Sequence, residues 1–231
     1  MLPRWRVFPP LALGVTMATL DISVVNIALP TLSRTFGVPL TTVEWVVLAY
    51  VLTITGLLLT LGRIADAVGR RRIYGAGLVV FVAASALCAA APGAIPLAFA
   101  RALQGVGAAM MTANSAALLV SHFPPEERGR ALGAFGAVVG VGLAMGPPLG
   151  GLIVDHGSWR WLFLINLPIG ALALFLLRRI PPDPPATPVG RLSLATSFAW
   201  FGALTSLLLA LSRGPGHGWN HPIVLGLFAA V

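Results

Sequence analysis

The sequence predicts an all-α integral membrane protein with several membrane-spanning helices. Hydrophobic residues make up 57% of its 231 residues and charged residues only 10%, and the mean hydropathy is +0.90. The apolar residues are grouped in stretches of about 20, which is the length of helix that crosses the hydrocarbon core of a bilayer. A soluble globule of this composition would have too few polar residues to cover its surface. We therefore expect the chain to lie in a membrane.

The hydropathy pattern predicts seven full spans and the start of an eighth. The first span is expected to be a retained helix, because its apolar run is longer than the roughly 7 to 15 residues of a cleaved signal peptide and contains Asp21. The spans cover residues 8–29, 43–61, 73–91, 95–120, 131–154, 161–180 and 192–212, and the eighth begins near Pro222 and is cut at Val231.

A proline-rich segment divides the chain. Residues 181–188 contain five prolines, which can continue neither a helix nor a strand ladder. We expect a six-helix transmembrane bundle over residues 1–180, a cytoplasmic linker over residues 181–191, and a seventh helix with a truncated eighth helix over residues 192–231. The last span is too short to cross a bilayer. Either the chain is a fragment, or its end lies at the membrane interface.

The arginines predict the orientation in the membrane. With the N-terminus in the cytoplasm, eleven arginines fall in cytoplasmic segments and three in external ones, and Arg101 lies inside the fourth span. This bias follows the positive-inside rule, so we expect a multi-pass protein of the cell membrane with a cytoplasmic N-terminus. The formal net charge of +8 therefore reflects topology, and we expect no nucleic acid partner.

The sequence has no pattern that indicates a catalytic, metal or cofactor site. Cys88 is the single cysteine and lies in an apolar run, and the four histidines are not spaced as ligands within one helix. No nucleotide-binding glycine loop followed by lysine is present, and the polar loops are too short to build an enzyme active site. We expect no catalytic residue, no metal and no cofactor.

Two ionisable residues, Asp21 and Arg101, fall at membrane depth. A charge in hydrocarbon costs several kcal/mol unless a partner or a water-filled cavity receives it, so such residues usually mark functional positions. Burial favours the neutral form of a carboxyl group, which makes Asp21 a candidate proton acceptor; an interfacial or structural ion-pair role is the alternative. Arginine stays charged, so Arg101 can hold an anionic partner or tie two helices together through carbonyls. It begins a stripe of polar and small residues, Gln104, Gly105, Ala108, Thr112 and Ser115.

The fifth span contains glycines at helical spacing next to two prolines, Pro147 and Pro148. Small residues at this spacing let another helix approach closely, and prolines interrupt the helical hydrogen bonds. We expect a closely packed helix that bends or flexes. The glycines are Gly136, Gly140, Gly142, Gly146 and Gly150.

A charged segment from Gly62 to Arg72 joins the second and third spans, and we expect it to be a short loop. Together with the following motifs it resembles the Major Facilitator Superfamily, in its fourteen-helix branch of drug:proton antiporters. Residues 62–74 resemble the signature of the loop between helices two and three, and the matching positions are Gly62, Asp66, Gly69, Arg70 and Arg71.

Three further segments add to this resemblance. Residues 101–107, which include Gln104, resemble the helix-four motif linked to proton coupling. Residues 142–151 resemble the helix-five antiporter motif, whose matching positions include Gly142, Gly146, Pro147, Gly150 and Gly151. The segment around Asp21, Asn26 and Pro30 and residues 159–170 are similar to the drug-exporter branch.

The resemblance implies proton-coupled efflux of small, lipophilic drugs or metabolites across the cell membrane by alternating access. It implies that Asp21, Arg101 and Gln104 act in proton coupling or substrate binding, that residues 62–72 form a cytoplasmic gate, and that the helix-five motif limits leak. The implied partners are a small-molecule substrate, protons, membrane lipid and a second six-helix half. Family members often have a basic residue where this chain has Ala67, which predicts a weaker gate.

Two alternatives stay open. The same machinery would suit the export of one endogenous metabolite. The chain would also fit a truncated membrane half that does not transport, and that is either dependent on a partner or inactive.

Overall fold

The computed structural model describes residues 3–180, 199, 201–203, 205–207, 209–210 and 218–229, and these residues contain helices and no strand. A short 3-10 helix, Pro3–Val7, leads into the first long helix. Five described helices are long and apolar enough to cross a membrane, which confirms the predicted all-α membrane fold. They are α1 (Phe8–Phe36), α2 (Leu40–Val68), α3 (Arg70–Ala90), α4 (Ala94–Ser121) and α5 (Pro125–His156).

Three shorter elements follow these five helices. They are α6 (Trp161–Leu164), α7 (Asn166–Leu177) and α8 (Pro222–Ala229). The described residues between 199 and 210 are helical, as predicted for the seventh span, and Phe201 lies against Gly56 of α2. The predicted linker over residues 181–191 lies outside the described residues.

The segment from Gly62 to Arg72 is not the loop that we predicted. Helix α2 continues to Val68, and only Gly69 separates it from α3. The N–H of Gly69 donates to the carbonyl of Ala65 at 2.8 Å, and its φ of 114° is a conformation that favours glycine. Charged side chains do not interrupt the hydrogen bonds of a helix when its end extends into water. The charged residues therefore indicate where the membrane ends and not where α2 ends.

The sixth span is also different from the prediction, because it is divided at Ile165 into α6 and α7. Pro168 explains the division. It has no N–H to donate to the carbonyl of Leu164, four residues earlier. Asn166 is consequently the first residue of α7 and lies at a break in the helix.

Helix α5 accommodates its two prolines without a break. Pro147 cannot donate to the carbonyl of Leu143, and Ser23 Oγ of α1 donates to that carbonyl instead, at 2.9 Å. A hydrogen bond lost within α5 is thus replaced by one between α1 and α5.

Helices α1 and α4 form the inside of the bundle. Helix α4 packs against α2 and α3, and α1 packs against α5. More than half of the residues in the most apolar window of α1 and of α4 are buried, but only about a fifth of those in α2 and α5. A residue on the inner face of α1 or α4 is therefore shielded from both lipid and water.

Glycines bring α4 close to its neighbours. A methyl group added at Gly107 would lie 2.5 Å from the backbone nitrogen of Phe81, and one added at Gly105 would lie 2.8 Å from the carbonyl oxygen of Tyr50. Real side-chain carbons do not approach backbone atoms this closely. These glycines allow α4 to contact both α2 and α3 at backbone distance.

The glycine stripe of α5 contacts α1 in the same manner, as predicted. A methyl group at Gly142 would overlap Thr19, one at Gly146 would overlap Ser23, and one at Gly150 would lie 3.3 Å from the Val24 carbonyl. The other two glycines of the predicted stripe, Gly136 and Gly140, do not take part, since no described neighbour lies within 4 Å of a methyl group added there. The same holds for Gly151. The packed stripe is Gly142, Gly146 and Gly150.

We expect Gly107→Ala to lower the stability of the bundle by about 1–3 kcal/mol, because the added methyl group overlaps the α3 backbone. Thermal unfolding in detergent would measure the change. Gly133→Ala is the matched control, because Gly133 has nothing within 4 Å and alanine favours helix by about 1 kcal/mol. Equal melting temperatures for the two variants would contradict the close α3–α4 contact.

Candidate functional site

Asp21 and Arg101 form an ion pair inside the bundle. Arg101 Nη1 donates to Asp21 Oδ2, and both side chains are fully buried, with 0% of their surface exposed. The pair joins α1 to α4 across 80 positions of sequence. The structure therefore brings together the two ionisable residues that the sequence places at membrane depth.

Gln104 completes a closed set of hydrogen bonds with this pair. Its Oε1 accepts from Arg101 Nη1 at 2.6 Å, and its Nε2 donates to Asp21 Oδ1 at 3.0 Å. The same Nε2 lies 2.8 Å from Ser85 Oγ on α3. All three residues that the sequence predicted for this site therefore contact one another.

Helix α2 holds the guanidinium of Arg101 from a second side. Arg101 Nε donates to the carbonyl of Val46 at 3.0 Å, and the guanidinium carbon lies 4.0 Å from the centre of the Tyr50 ring. The ring face attracts a cation, and more strongly where water is excluded. The Tyr50 hydroxyl donates to the Ala18 carbonyl at 3.4 Å. Arg101 is thus fixed by three hydrogen bonds, to Asp21, Gln104 and the Val46 carbonyl, and by the Tyr50 ring.

Two further residues of the site, Ser85 and Asn166, were missed by the sequence analysis. Asn166 Nδ2 lies 3.4 Å from Asp21 Oδ1 and 3.4 Å from Ser85 Oγ. Both side chains are uncharged, and one polar residue in an apolar helix does not stand out in a search for charges. The sequence signal that could have identified Asn166 is an amide two residues before Pro168, at the start of a strongly apolar helix.

The cluster is electrically balanced and almost fully hydrogen-bonded. Desolvating an ion pair costs several kcal/mol per ion, and only good geometry with additional hydrogen bonds offsets that cost. Here Gln104, Asn166 and the Val46 carbonyl supply those bonds. Arg101 Nη2 has no hydrogen-bond partner among the described residues. Chemically, the site is one carboxylate that can take up a proton next to one cation that cannot release one.

A small cavity of about 10 Å³ lies against this cluster, between α1, α5, α6 and the start of α7. That volume is close to the minimum that one water molecule needs. Its polar lining comes from Asp21 and Asn166, and the other lining residues are apolar. They are Leu20, Val24, Leu149, Ile153, Leu162 and Ile165.

The predicted gate residues lie at the other end of α2. Arg70 forms an ion pair with Asp66 at 2.8 Å, and the two side chains are 39% and 38% exposed. Such a pair contributes only about 0.2–1 kcal/mol. Arg71 Nη2 donates to the carbonyls of Leu177 at 3.3 Å and Arg178 at 3.5 Å, which ties the start of α3 to the end of α7. Gly62 and Gly69 lie in the same region, in the last turns of α2 and at its end.

No group of three or more His, Cys, Asp and Glu side chains in the described part of the chain could hold a metal ion.

Apolar spanning helices around a buried, hydrogen-bonded ion pair define a multi-pass membrane protein with a polar site at membrane depth. A family model described as Major Facilitator Superfamily matches residues 11–231. The chain belongs to the Major Facilitator Superfamily.

Similar proteins agree with this assignment. The chain is 42% identical over 221 residues to the methylenomycin A resistance protein of Bacillus subtilis strain 168, covering 95% of this chain and 47% of that protein. It is 35% identical over 231 residues to the riboflavin transporter RibZ of Clostridioides difficile strain 630, covering 100% of this chain and 50% of that protein. The chain spans about half the length of these curated relatives.

A solved structure has the same fold. The crystal structure of the POT family transporter PepTSo matches 99% of this chain and 52% of that chain, with a TM-score of 0.70 and 16% sequence identity. The prediction that the chain is not an enzyme is confirmed. The chain belongs to the Major Facilitator Superfamily, and the proteins similar to it are named as transporters and resistance proteins.

We expect Arg101→Leu to destabilise the bundle by about 3–5 kcal/mol, because it leaves the Asp21 carboxylate buried without its cation. Thermal unfolding in detergent checks this value. The double variant Asp21→Leu/Arg101→Leu is expected to be more stable than the single Arg101→Leu variant, since no unpaired charge remains. A double variant that is as unstable as the sum of both single variants would contradict a direct ion pair.

Proposed function

We propose that the chain acts in proton-coupled efflux of small, lipophilic drugs or metabolites across the cell membrane by alternating access. The observation that most strongly supports this proposal is the buried cluster of Asp21, Arg101 and Gln104. Similar proteins named as resistance proteins support the drug class of substrate. The fourteen-helix branch, the N-terminal position of this chain within a longer protein, and the cytoplasmic N-terminus belong to the same proposal.

Proton coupling would act through the charge balance of the cluster. A proton on Asp21 removes the negative charge that Arg101 Nη1 contacts, and leaves a net positive charge in an apolar surrounding. Because an unpaired buried charge is unfavourable, Arg101 would seek another anionic or carbonyl partner. That change would shift α4 relative to α1 and bias the equilibrium between two arrangements of the transporter.

The cytoplasmic gate would be formed by Gly62, Asp66, Gly69, Arg70 and Arg71. The Asp66–Arg70 ion pair is half-exposed and weak, so it can break and form again during a transport cycle. Arg71 bridges α3 and α7, which would make those two helices move together. The close turn at Gly69 keeps the ends of α2 and α3 adjacent.

The glycine and proline residues of α5 would limit leak. Gly142, Gly146 and Gly150 let α5 lie directly on α1, against residues that are two or three positions from Asp21. Ser23 replaces the hydrogen bond that Pro147 cannot make. This contact leaves little space for water at the glycine face of α5. A hydrogen bond between helices can also be exchanged more easily than one within a helix.

Export or transport of one endogenous metabolite is the second candidate function. It is supported by the similarity to a protein that is named as a riboflavin transporter. Growth of a deletion strain against a panel of dyes and antibiotics separates the two candidates, because a general drug exporter protects against several unrelated compounds. A half that does not transport alone is the third interpretation, and expression of residues 1–231 in the same strain would test it.

We expect Asp21→Asn to abolish efflux driven by a pH gradient in the protein as its whole gene encodes it, because the amide cannot take up the coupling proton. The assay is dye or drug efflux from everted vesicles with an imposed pH gradient. Asn114→Leu is the control, since Asn114 is buried and, among the described residues, its side chain bonds the Met110 carbonyl of its own helix. Full pH-driven efflux by folded Asp21→Asn would remove Asp21 from proton coupling.

We expect Asp66→Asn to change stability by less than about 1 kcal/mol, because the pair with Arg70 is half-exposed, and to reduce efflux several-fold if the pair acts as a gate. Melting temperature and vesicle efflux would be measured on the same preparation. Glu127→Gln breaks a different ion pair, with Arg4 at 2.7 Å, and serves as the matched control. Unchanged efflux by Asp66→Asn would leave the pair with no role in gating.

A further inference from the structure

We propose that the cavity beside Asp21 binds a water molecule, that Asn166 positions this water against the carboxylate, and that the coupling proton reaches Asp21 through it. The route would begin at the end of the bundle where α5 meets α6. In the orientation that the arginines predict, that end is external. This inference rests on the proposed proton coupling and adds a route and a positioning residue to it.

The size and the lining of the cavity are those of a water site. Its volume of about 10 Å³ is close to the minimum for a single water, and a buried water needs two to four polar partners. Asp21 and Asn166 both line the cavity, and they supply a carboxylate oxygen and an amide. The direct hydrogen bond from Asn166 Nδ2 to Asp21 Oδ1, at 3.4 Å, is long and therefore weak, so the carboxylate can also accept a hydrogen bond from a water in the cavity beside it.

The other sides of the Asp21 carboxylate are already occupied. Arg101 Nη1 contacts Oδ2, and Gln104 Nε2 contacts Oδ1 at 3.0 Å. From α4 and α2 the groups that face the cluster are therefore Arg101 and the Tyr50 ring. From α3 the Cys88 thiol donates to Gln104 Oε1 at 3.5 Å. The cavity is the remaining approach to the carboxylate.

The residues of α5, α6 and α7 that line the cavity do not titrate. Leu149 and Ile153 of α5 and Leu162 of α6 are apolar, and Asn166 of α7 is an amide. The last turn of α5 contains two exposed titratable residues, Asp155 and His156, at the end where the route begins. A proton that passes this end has Asp21 as its acceptor among the cavity-lining residues. The apolar residues also keep the route narrow, which suits a path for protons and not for larger ions.

A second buried donor lies at the end of the bundle where α5 meets α6, outside the cavity lining. Trp159, in the α5–α6 connection, is buried, and its Nε1 has no partner among the described residues. It packs against Phe36 and Phe163 at the end of the bundle. Buried N–H groups without a protein partner are commonly satisfied by water. Trp159 Nε1 and the Asn166 amide would therefore each bind a water molecule of the proposed route.

Hydrogen exchange at a thiol tests whether water enters. In the whole protein with Cys88→Ala, Ile153→Cys places a thiol in the cavity wall, and Leu152→Cys places one on the adjacent surface, where Leu152 is 61% exposed and would face lipid. A thiol proton exchanges with D₂O only where water reaches the sulfur. We expect the S–H infrared band of Ile153→Cys to convert to the S–D band at least about tenfold faster than that of Leu152→Cys, because only the first thiol lies against a water site. Equal rates for the two variants would overturn the water site.

Infrared difference spectroscopy tests the role of Asn166. The carboxyl band of Asp21 is assigned by its loss in Asp21→Asn. We expect Asn166→Leu to shift that band and to slow proton uptake after a pH jump about tenfold, the factor that one hydrogen bond to a charged group provides. Asn166→Ser, which keeps a polar group, should retain most of the rate, and Asn114→Leu should leave the band and the rate unchanged.

The two possible failures are distinguishable. An unchanged Asp21 band and uptake rate in Asn166→Leu would overturn the inference and leave proton coupling by Asp21 intact. A wild-type protein with no titrating Asp21 band at any accessible pH would contradict the proposed proton coupling itself. In that case, the thiol rates would still decide whether the cavity contains water.

Discussion

A charge inside a membrane bundle has to be paired, and the arrangement of this chain follows from that constraint. Asp21 and Arg101 lie on α1 and α4, the two helices with the largest buried share among the spanning helices that the structure describes. Because each ion needs several partners, α2 contributes the Val46 carbonyl and the Tyr50 ring to Arg101. Ser85 of α3 accepts from Gln104, which itself bonds both ions. The polar cluster therefore determines which faces of these helices turn inward. The glycines of α4 then allow the helices to approach closely enough for these contacts.

The contact between α1 and α5 has a different origin, because α1 supplies a hydrogen bond that α5 cannot make within itself. Pro147 leaves the Leu143 carbonyl without its helical donor, and Ser23 supplies one from the neighbouring helix. The glycines on the same face remove the side chains that would hold the two helices apart. An unsatisfied carbonyl in one helix is thus avoided by a hydrogen bond from another, and the pair of helices depends on contacts that the sequence encodes in two separate segments.

The sequence predicted the membrane fold, the two ionisable residues at membrane depth and a glycine stripe of which three members pack, because each has a strong local signal. A charge in a run of apolar residues and a four-residue spacing of glycine are visible without a structure. The extent of α2 was not predictable from charge, since arginines at a helix end can reach water without breaking the helix. Asn166 and Ser85 were missed because their importance depends on distances between α3, α7 and α1. The spacing of residues within one helix does not indicate the distances between different helices.

The separation of the ion pair along the chain has a consequence for biosynthesis. Asp21 and Arg101 are 80 residues apart, and ribosomes add about 5–20 residues per second, so α1 leaves the ribosome roughly 4 to 16 seconds before its cation does. Asn166 follows Asp21 by 145 residues and arrives later still. During that interval, the carboxylate of α1 has no arginine partner from this bundle. Insertion of the first helix therefore depends on an environment that solvates the unpaired carboxylate until the fourth helix is synthesised. The aqueous interior of the insertion machinery is such an environment.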